Sequence, residues 1–204
     1  MRRTRVLTVA PANPDAATLR DAASVLRAGG LVAFPTETFY GLGCAGLSPE
    51  AVRRVFAVKG RPESKPLLLL VDSVAMLDTI ASRIPPAARL LMARHWPGPL
   101  TLVLPARDAV PEAVTAGTGT VGVRLPAHPV ARALVAALGE PVTAPSANPS
   151  GAPPPTTAAE VLGHFDGVIE LILDGGPTPG GEPSTVVDAT VDPPRILRRG
   201  AVPL

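Results

Sequence analysis

Residues 30–43 read GLVAFPTETFYGLG, and the fold is read outward from them. Leu31-Val32-Ala33-Phe34 is a continuous apolar run closed by Pro35, the pattern of a buried strand, whose end delivers Thr36-Glu37-Thr38-Phe39-Tyr40 into a loop. Ligand sites of open α/β sheets gather at such strand ends. The hydroxyls of this loop, followed by Gly41 and Gly43 for close backbone approach, mark a candidate site; a turn with capping threonines is the plain alternative.

On the N-terminal side, Ala16, Leu19, Ala22, Ala23 and Leu26 have helical spacing and Gly29-Gly30 stops the element, so a helix is expected over 15–27. On the C-terminal side, Ser48-Pro49-Glu50 has the cap, first-position proline and first-turn acid of a helix start. That helix should run to about Val58, leaving Lys59-Gly60-Arg61-Pro62 at its exit. Further strands are expected over 67–71, 100–104, 141–144, 168–173, 185–189 and 195–197. Further helices are expected over 74–81, 86–95 and 128–138, with the Pro/Ser/Thr stretch 149–157 a loop or the approach to a helix. Strands and helices alternate loosely, which predicts an α/β fold built on a twisted sheet of mixed parallel and antiparallel direction with flanking helices.

The 204 residues have the length of one domain, expected to span 1–204. With 46% hydrophobic and 18% charged residues the chain is too apolar for disorder. Its 19 glycines and 26 prolines show no G-X-Y period, which excludes collagen-like and low-complexity classes. Cys44 is the only cysteine, so no disulfide framework and no CxxC zinc pair exist. The apolar stretch after the basic N-terminus is broken by Pro11 and Pro14, too short for a signal peptide, and no run reaches membrane-spanning length. A cytoplasmic protein without membrane contact is expected.

The formal net charge of +2 does not argue for nucleic-acid binding. Its make-up is more telling: seventeen arginines, and only two lysines, Lys59 and Lys65, flanking Arg61. Three cations in KGRPESK, stiffened by Pro62 and Pro66, suit a polyphosphate clamp, with Arg as a planar fork and Lys as a point charge; a solvated loop is the alternative. In Thr120-Val121-Gly122-Val123-Arg124-Leu125-Pro126, Arg124 stands in an apolar run and needs a carboxylate or phosphate partner, from a ligand or from a protein acid. Ala144-Pro145-Ser146-Ala147-Asn148 ends a short strand in two small hydrogen-bonding side chains. Ser184 precedes the strand Thr185-Val186-Val187-Asp188, and Arg198-Arg199-Gly200 lies near the C-terminus. No GxxxxGK[ST] loop and no G-x-G-x-x-G opening a helix is present. His95, His128 and His164 lie far apart beside prolines or at helix ends, which favours neither a zinc site nor a Ser-His-Asp triad.

Taken in order, FPTETFYGLG, KGRPxxxP, VGVRLP, APSANPSG and STVVD…ILRRG closely resemble the YrdC-like family of threonylcarbamoyl-AMP synthases, over about residues 15–200. The resemblance implies an α/β fold around a positively charged concave cavity. It implies synthesis of L-threonylcarbamoyladenylate and pyrophosphate from L-threonine, bicarbonate and ATP. Partner proteins would then carry the threonylcarbamoyl group to adenosine 37 of ANN-decoding tRNAs. By the same resemblance Thr36, Thr38, Arg124, Ala144 (through its backbone) and Ser184 would contact threonine. Lys59, Arg61, Lys65, Thr120, Ser146, Asn148 and Arg198 would bind ATP, with Lys59 and Arg61 the catalytic cations, Mg²⁺ on the phosphates and no protein metal ligand. No protein nucleophile is required. Leu70 stands where many members carry a histidine that contacts threonine, so the threonine pocket should differ in detail; among the ATP residues, Lys65 departs from the pattern, standing where Asn or Asp is common. Ending at Leu204, the chain resembles the short form of the family. A hydrogenase-maturation carbamoyl-transfer module is disfavoured by the single cysteine. A non-catalytic paralogue binding nucleotide or, weakly, double-stranded RNA is the other reading. Both Lys59→Ala and Arg61→Ala are expected to cut turnover while leaving folding intact.

Overall fold

The computed structural model describes residues 3–204. The apolar run that opens the motif becomes strand β2 (Val32–Pro35), fully buried, and the chain returns antiparallel as β3 (Tyr40–Gly43). With β1 (Arg5–Thr8) and β8 (Leu171–Asp174) these form a four-stranded sheet in the order β1-β8-β2-β3, parallel at both of its β8 pairings. Where one twisted sheet was expected there are two. The second has six strands in the order β10-β9-β5-β6-β4-β7, built from β4 (Leu68–Leu70), β5 (Leu100–Pro105), β6 (Thr120–Arg124), β7 (Val142–Thr143), β9 (Thr185–Asp188) and β10 (Arg195–Arg198). Parallel and antiparallel pairings mix in both sheets.

The sheets meet where edge strand β3 runs beside β7 and the loop that follows it. Gly41 pairs with Ser146 and Ala45 with Val142 across this seam. Leu42 N donates to Pro145 O at 2.7 Å and Ala147 N to Tyr40 O at 2.8 Å. Thr143 Oγ1 accepts from Cys44 N at 3.0 Å and donates to Leu42 O. The seam leaves no room for a side chain at Gly43: a Cβ there would stand 2.7 Å from both Phe34 Cε1 and Val142 Cγ1. Gly43 therefore permits close approach between the sheets rather than to a ligand, which corrects that part of the sequence reading. Burial pushes the Cys44 thiol up to about 12, so it stays an inert packing group.

The expected helices form with the expected ends. Asp15 caps α1 (Ala16–Arg27) by accepting from Thr18 N at 2.8 Å, and Leu19, Ala22, Ala23 and Leu26 turn inward. Ser48 caps α2 (Pro49–Lys59), which ends on Gly60 in the left-handed conformation (φ 58°). In chain order α3 (Val74–Ile80), α4 (Pro86–His95), the short α5 (Glu112–Thr115) and α6 (Pro129–Leu138) follow. His128 Nδ1 caps α6 by accepting from Val130 N at 3.2 Å, a structural task that needs the neutral ring. Two buried clusters result: one joins α1 and α6 to β2 and β8, the other gathers α2, α4 and α7 (Ala158–Phe165) with β3, β5 and β6.

Five elements were not foreseen as such, the one-turn α5 among them. β1 is a largely exposed edge strand, β3 and β6 carry glycine or charge at alternate positions, and α7 has Gly163 at its centre. The expected strand 168–173 begins later, at Leu171, because residues 166–169 close the α7 exit, with Val168 N and Ile169 N donating back to Phe165 O. No helix among the described residues is long and apolar enough to cross a membrane. Because Phe34 and Val142 are both fully buried, Gly43→Ala should cost about 1–3 kcal/mol by overpacking the seam. Urea unfolding would show it as a lowered midpoint at unchanged slope, and an unchanged midpoint would mean that the two sheets can shift apart.

Candidate active site

A cavity of about 460 Å³ opens on one face of the six-stranded sheet. Register makes its floor: Leu68 lies beside Gly122, Gly122 opposite Val103, and Thr101 beside Val186, so alternate residues of four strands share that face. The walls are the Thr36–Gly41 turn, the loop leaving α2 and the loop 144–151. All twelve residues singled out in the sequence line this space, drawn from five separated segments. Five of the lining side chains are basic, Lys59, Arg61, Lys65, Arg124 and Arg198, and none is Asp, Glu, His or Cys.

Three of the five cations, Lys59, Arg61 and Arg198, are held by backbone carbonyls. Lys59, the last residue of α2, is 4% exposed, and its ammonium donates to Ser146 O and Asn148 O, both at 2.5 Å. Its own carbonyl accepts from Ser150 N at 2.7 Å. Burial, with the charge of Arg61 adding to it, pushes this ammonium down to about 8. Arg61 braces its loop by donating to Pro66 O at 2.9 Å and to Lys65 O at 3.4 Å, which leaves Lys65 exposed at the rim. Arg198 donates to Ser184 O from Nη2 at 2.7 Å and from Nε at 3.1 Å. Burial and then the nearby Arg124 charge lower the Arg198 pKa.

Arg124 is held differently. It forms an ion pair with Glu37, Nη2 to Oε1 at 2.7 Å, and Nε donates to the same oxygen at 3.2 Å. The second carboxylate oxygen of Glu37 accepts from His128 N at the start of α6, at 3.3 Å. Burial works to raise the Glu37 carboxyl, but the Arg124 charge and hydrogen bonds outweigh it and hold the group below the usual carboxylate range. Of the two partners the sequence left open for Arg124, the protein acid is present, and it was the unassigned residue of the PTET motif.

The hydroxyls are arranged as well. Thr36 Oγ1 donates to Phe39 O at 2.6 Å and accepts from Thr38 N at 3.2 Å, with Thr38 Oγ1 at 3.1 Å, so the capping-turn alternative and the site reading are both satisfied. Thr120 pairs with Thr118 at 2.9 Å, and Ala144 N donates to Leu68 O at 3.3 Å. Asn148 donates to Pro149 O and Ala152 O, while its Oδ1 is the one buried side-chain polar atom without a partner among the described residues. An orphaned buried acceptor in a cavity wall suits a ligand N–H or O–H. Thr101, also lining the cavity, was missed, because a threonine inside an apolar strand looks like packing. Leu70 is fully buried in the α1/α6 cluster and does not line the cavity.

With this geometry in place, relatives can be compared. The family model Sua5_yciO_yrdC, described as "Telomere recombination", matches residues 24–200. A Pyrococcus abyssi protein named threonylcarbamoyl-AMP synthase is 50% identical over 186 residues, 91% of this chain and 55% of that one. A Bacillus subtilis protein of the same name is 45% identical over 185 residues, 90% of this chain and 54% of that one. The chain thus spans about half the length of these curated relatives. The crystal structure of P. abyssi Sua5 complexed with L-threonine superposes with a TM-score of 0.95 at 48% identity, covering 98% of this chain and 59% of that one.

The expectation that Lys59→Ala and Arg61→Ala both leave folding intact needs correction for Lys59. Removing its ammonium leaves the buried Asn148 carbonyl without a donor and Ser146 O with Asn148 N alone, so Lys59→Ala should lose about 2 kcal/mol of stability, whereas Arg61→Ala should lose less than about 1 kcal/mol. Chemical denaturation of the two variants side by side measures this, and equal midpoints would release Lys59 from its anchoring role.

Proposed function

The chain belongs to the Sua5/YciO/YrdC family, and from that premise we propose that its cavity condenses L-threonine, bicarbonate and ATP to L-threonylcarbamoyladenylate, pyrophosphate and water. The observation that carries the proposal is the lining: five basic side chains, no acidic one, and a row of hydroxyls around a space of about 460 Å³. Such a lining suits two anions held side by side, a carboxylate and a triphosphate.

In this reading the threonine amine and bicarbonate combine to an N-carboxy species with loss of water. Its new carboxylate oxygen attacks the α-phosphorus, and the bond to the leaving pyrophosphate breaks, which makes the protein a nucleotidyltransferase. The chain's part is positioning and charge. Arg124, fixed by Glu37, receives the threonine carboxylate, with Thr36, Thr38, the Ala144 backbone and Ser184 around it. Arg61, Lys65 and Arg198 face the phosphates with Thr120 and Ser146, and Asn148 Oδ1 accepts from a ligand N–H or O–H. Lys59 has spent two of its three protons on carbonyls, and the third remains for phosphate. Preset donors of this kind stabilise the charge that develops at phosphorus without reorganising during the step.

The residues do not fit a protein-held metal, since no group of His, Cys, Asp or Glu able to hold one occurs among the described residues. Mg²⁺ would arrive on the phosphates as part of the substrate. The activated threonylcarbamoyl group is then consumed by partner proteins acting on adenosine 37 of tRNA.

Pyrophosphate release by the purified chain tests the proposal, with release expected only when L-threonine and bicarbonate are both present and little with serine. ATP binding without release would turn the reading to a non-catalytic nucleotide-binding paralogue.

The low Lys59 pKa adds a pH dependence. In the empty fold the value of about 8 lies below the 10.5 of the free side chain, so holding the charge costs stability at low pH. That cost is relieved as pH climbs from about 8 toward 10.5. A triphosphate favours the charged form, so ATP binding at about pH 8.5 should take up protons, and affinity should fall above about pH 8, by at most about tenfold per unit. Calorimetry in two buffers of different ionisation enthalpy reads the uptake. A Lys59→Arg variant that keeps the same uptake would exclude Lys59 as its source.

A further inference from the structure

Thr101 on β5 and Ser184 before β9 form a buried hydroxyl pair at the cavity floor. Their oxygens lie 2.9 Å apart, and the residues are 2% and 3% exposed. Arg198 Nη2 reaches Ser184 Oγ at 3.0 Å, and because a guanidinium only donates, Ser184 Oγ accepts there. The two hydroxyls carry two protons. One lies in the bond between them, whichever residue donates it. The other has no protein acceptor among the described residues: it belongs to Thr101 if Ser184 donates, and to Ser184 if Thr101 donates. Both residues line the cavity, so the spare donor belongs to that space.

Its neighbour across the sheet is Arg124. In the antiparallel β5–β6 pair Leu102 stands opposite Val123, so Thr101 and Arg124, one step along each strand, come together on the cavity face. The Thr101 methyl lies over Gly122, where a Cβ would be only 3.4 Å from Thr101 Cγ2. Glu37 occupies Nε and Nη2 of Arg124, leaving Nη1 without a protein acceptor among the described residues. The floor thus offers a guanidinium N–H and a hydroxyl O–H to the two oxygens of one carboxylate.

We infer that the Thr101–Ser184 pair is a preset hydrogen-bond donor for the α-carboxylate of the amino-acid substrate, with Thr101 either giving that hydrogen bond or positioning the Ser184 hydroxyl that gives it. The assignment deepens, and rests on, the reading of the cavity as a threonine site. Thr101→Val keeps the shape and the β-branch of the side chain but removes the hydroxyl, and Thr101→Ser restores it.

Calorimetric titration of the full chain with L-threonine, with ATP and with L-threoninol, which lacks the carboxylate, tests it. Thr101→Val should weaken L-threonine binding about tenfold or more while ATP binding changes less than about twofold, and Thr101→Ser should recover most of the loss. L-threoninol should bind the wild type and Thr101→Val alike. Unchanged threonine affinity in Thr101→Val overturns the assignment, as does an equal loss of threonine and ATP that Thr101→Ser fails to restore, which marks a structural role. A persistent difference with L-threoninol overturns the choice of the carboxylate. A wild type that binds ATP but no L-threonine overturns the threonine reading of the cavity, and this inference with it.

Discussion

The buried Lys59 ammonium and its two carbonyl partners hold the cavity together. Lys59 ends the helix that the first wall loop leaves, and Ser146 and Asn148 belong to the loop that joins the two sheets. One side chain therefore fixes two walls at once. Carbonyls orient a cation without neutralising it, so the arrangement keeps positive charge at a cost in desolvation. The same holds for Arg61 on Pro66 O and for Arg198 on Ser184 O. Placed by dipoles rather than by carboxylates, these groups remain available to anions. Among these cations Arg124 alone pairs with an acid, and with its side chain 6% exposed an unpaired guanidinium there would be costly.

The two sheets explain how so many short, separated segments meet. A single continuous sheet would spread the strand ends along one edge. Here the seam of β3 with β7 folds the Thr36–Gly41 turn over the face of the second sheet, so one wall comes from one sheet and the floor from the other. Small residues on both sides of the seam make that approach possible, Gly43 and Gly46 on one side and Ala144 close to Gly41 on the other.

Much of this was legible in the chain. The start of α2 was readable because a cap acts locally, Ser48 standing one residue before the helix it begins, and α1 and α6 were readable from the spacing of their apolar faces. The cavity segments were readable because polar residues after apolar runs mark strand ends. The strand β3 was not, since a Tyr-Gly-Leu-Gly strand has its reason in the neighbour it packs against and not in its own propensity. The helix α7 hid behind Gly163, although Thr157 and Glu160 carry a complete capping box, Glu160 N donating to Thr157 Oγ1 at 3.2 Å and Thr157 N to Glu160 Oε2 at 3.1 Å. Glu37 and Thr101 were invisible for a different reason. Their partners lie 87 and 83 positions away, and no local pattern reports such a pairing.

That long-range character also constrains how the proposed ligand sets relate. Ser184 was assigned to threonine and Arg198 to ATP, yet Arg198 holds both the carbonyl and the hydroxyl of Ser184. Arg124 lies close enough to Arg198 that its charge, after burial, lowers the Arg198 pKa. An anion bound at either guanidinium relieves that repulsion for both. The proposed carboxylate and phosphate ends of the floor therefore share one positive field. In the proposed reaction a carboxylate must approach a phosphate, and the repulsion between these two anions would be offset by cations that the fold already holds in place.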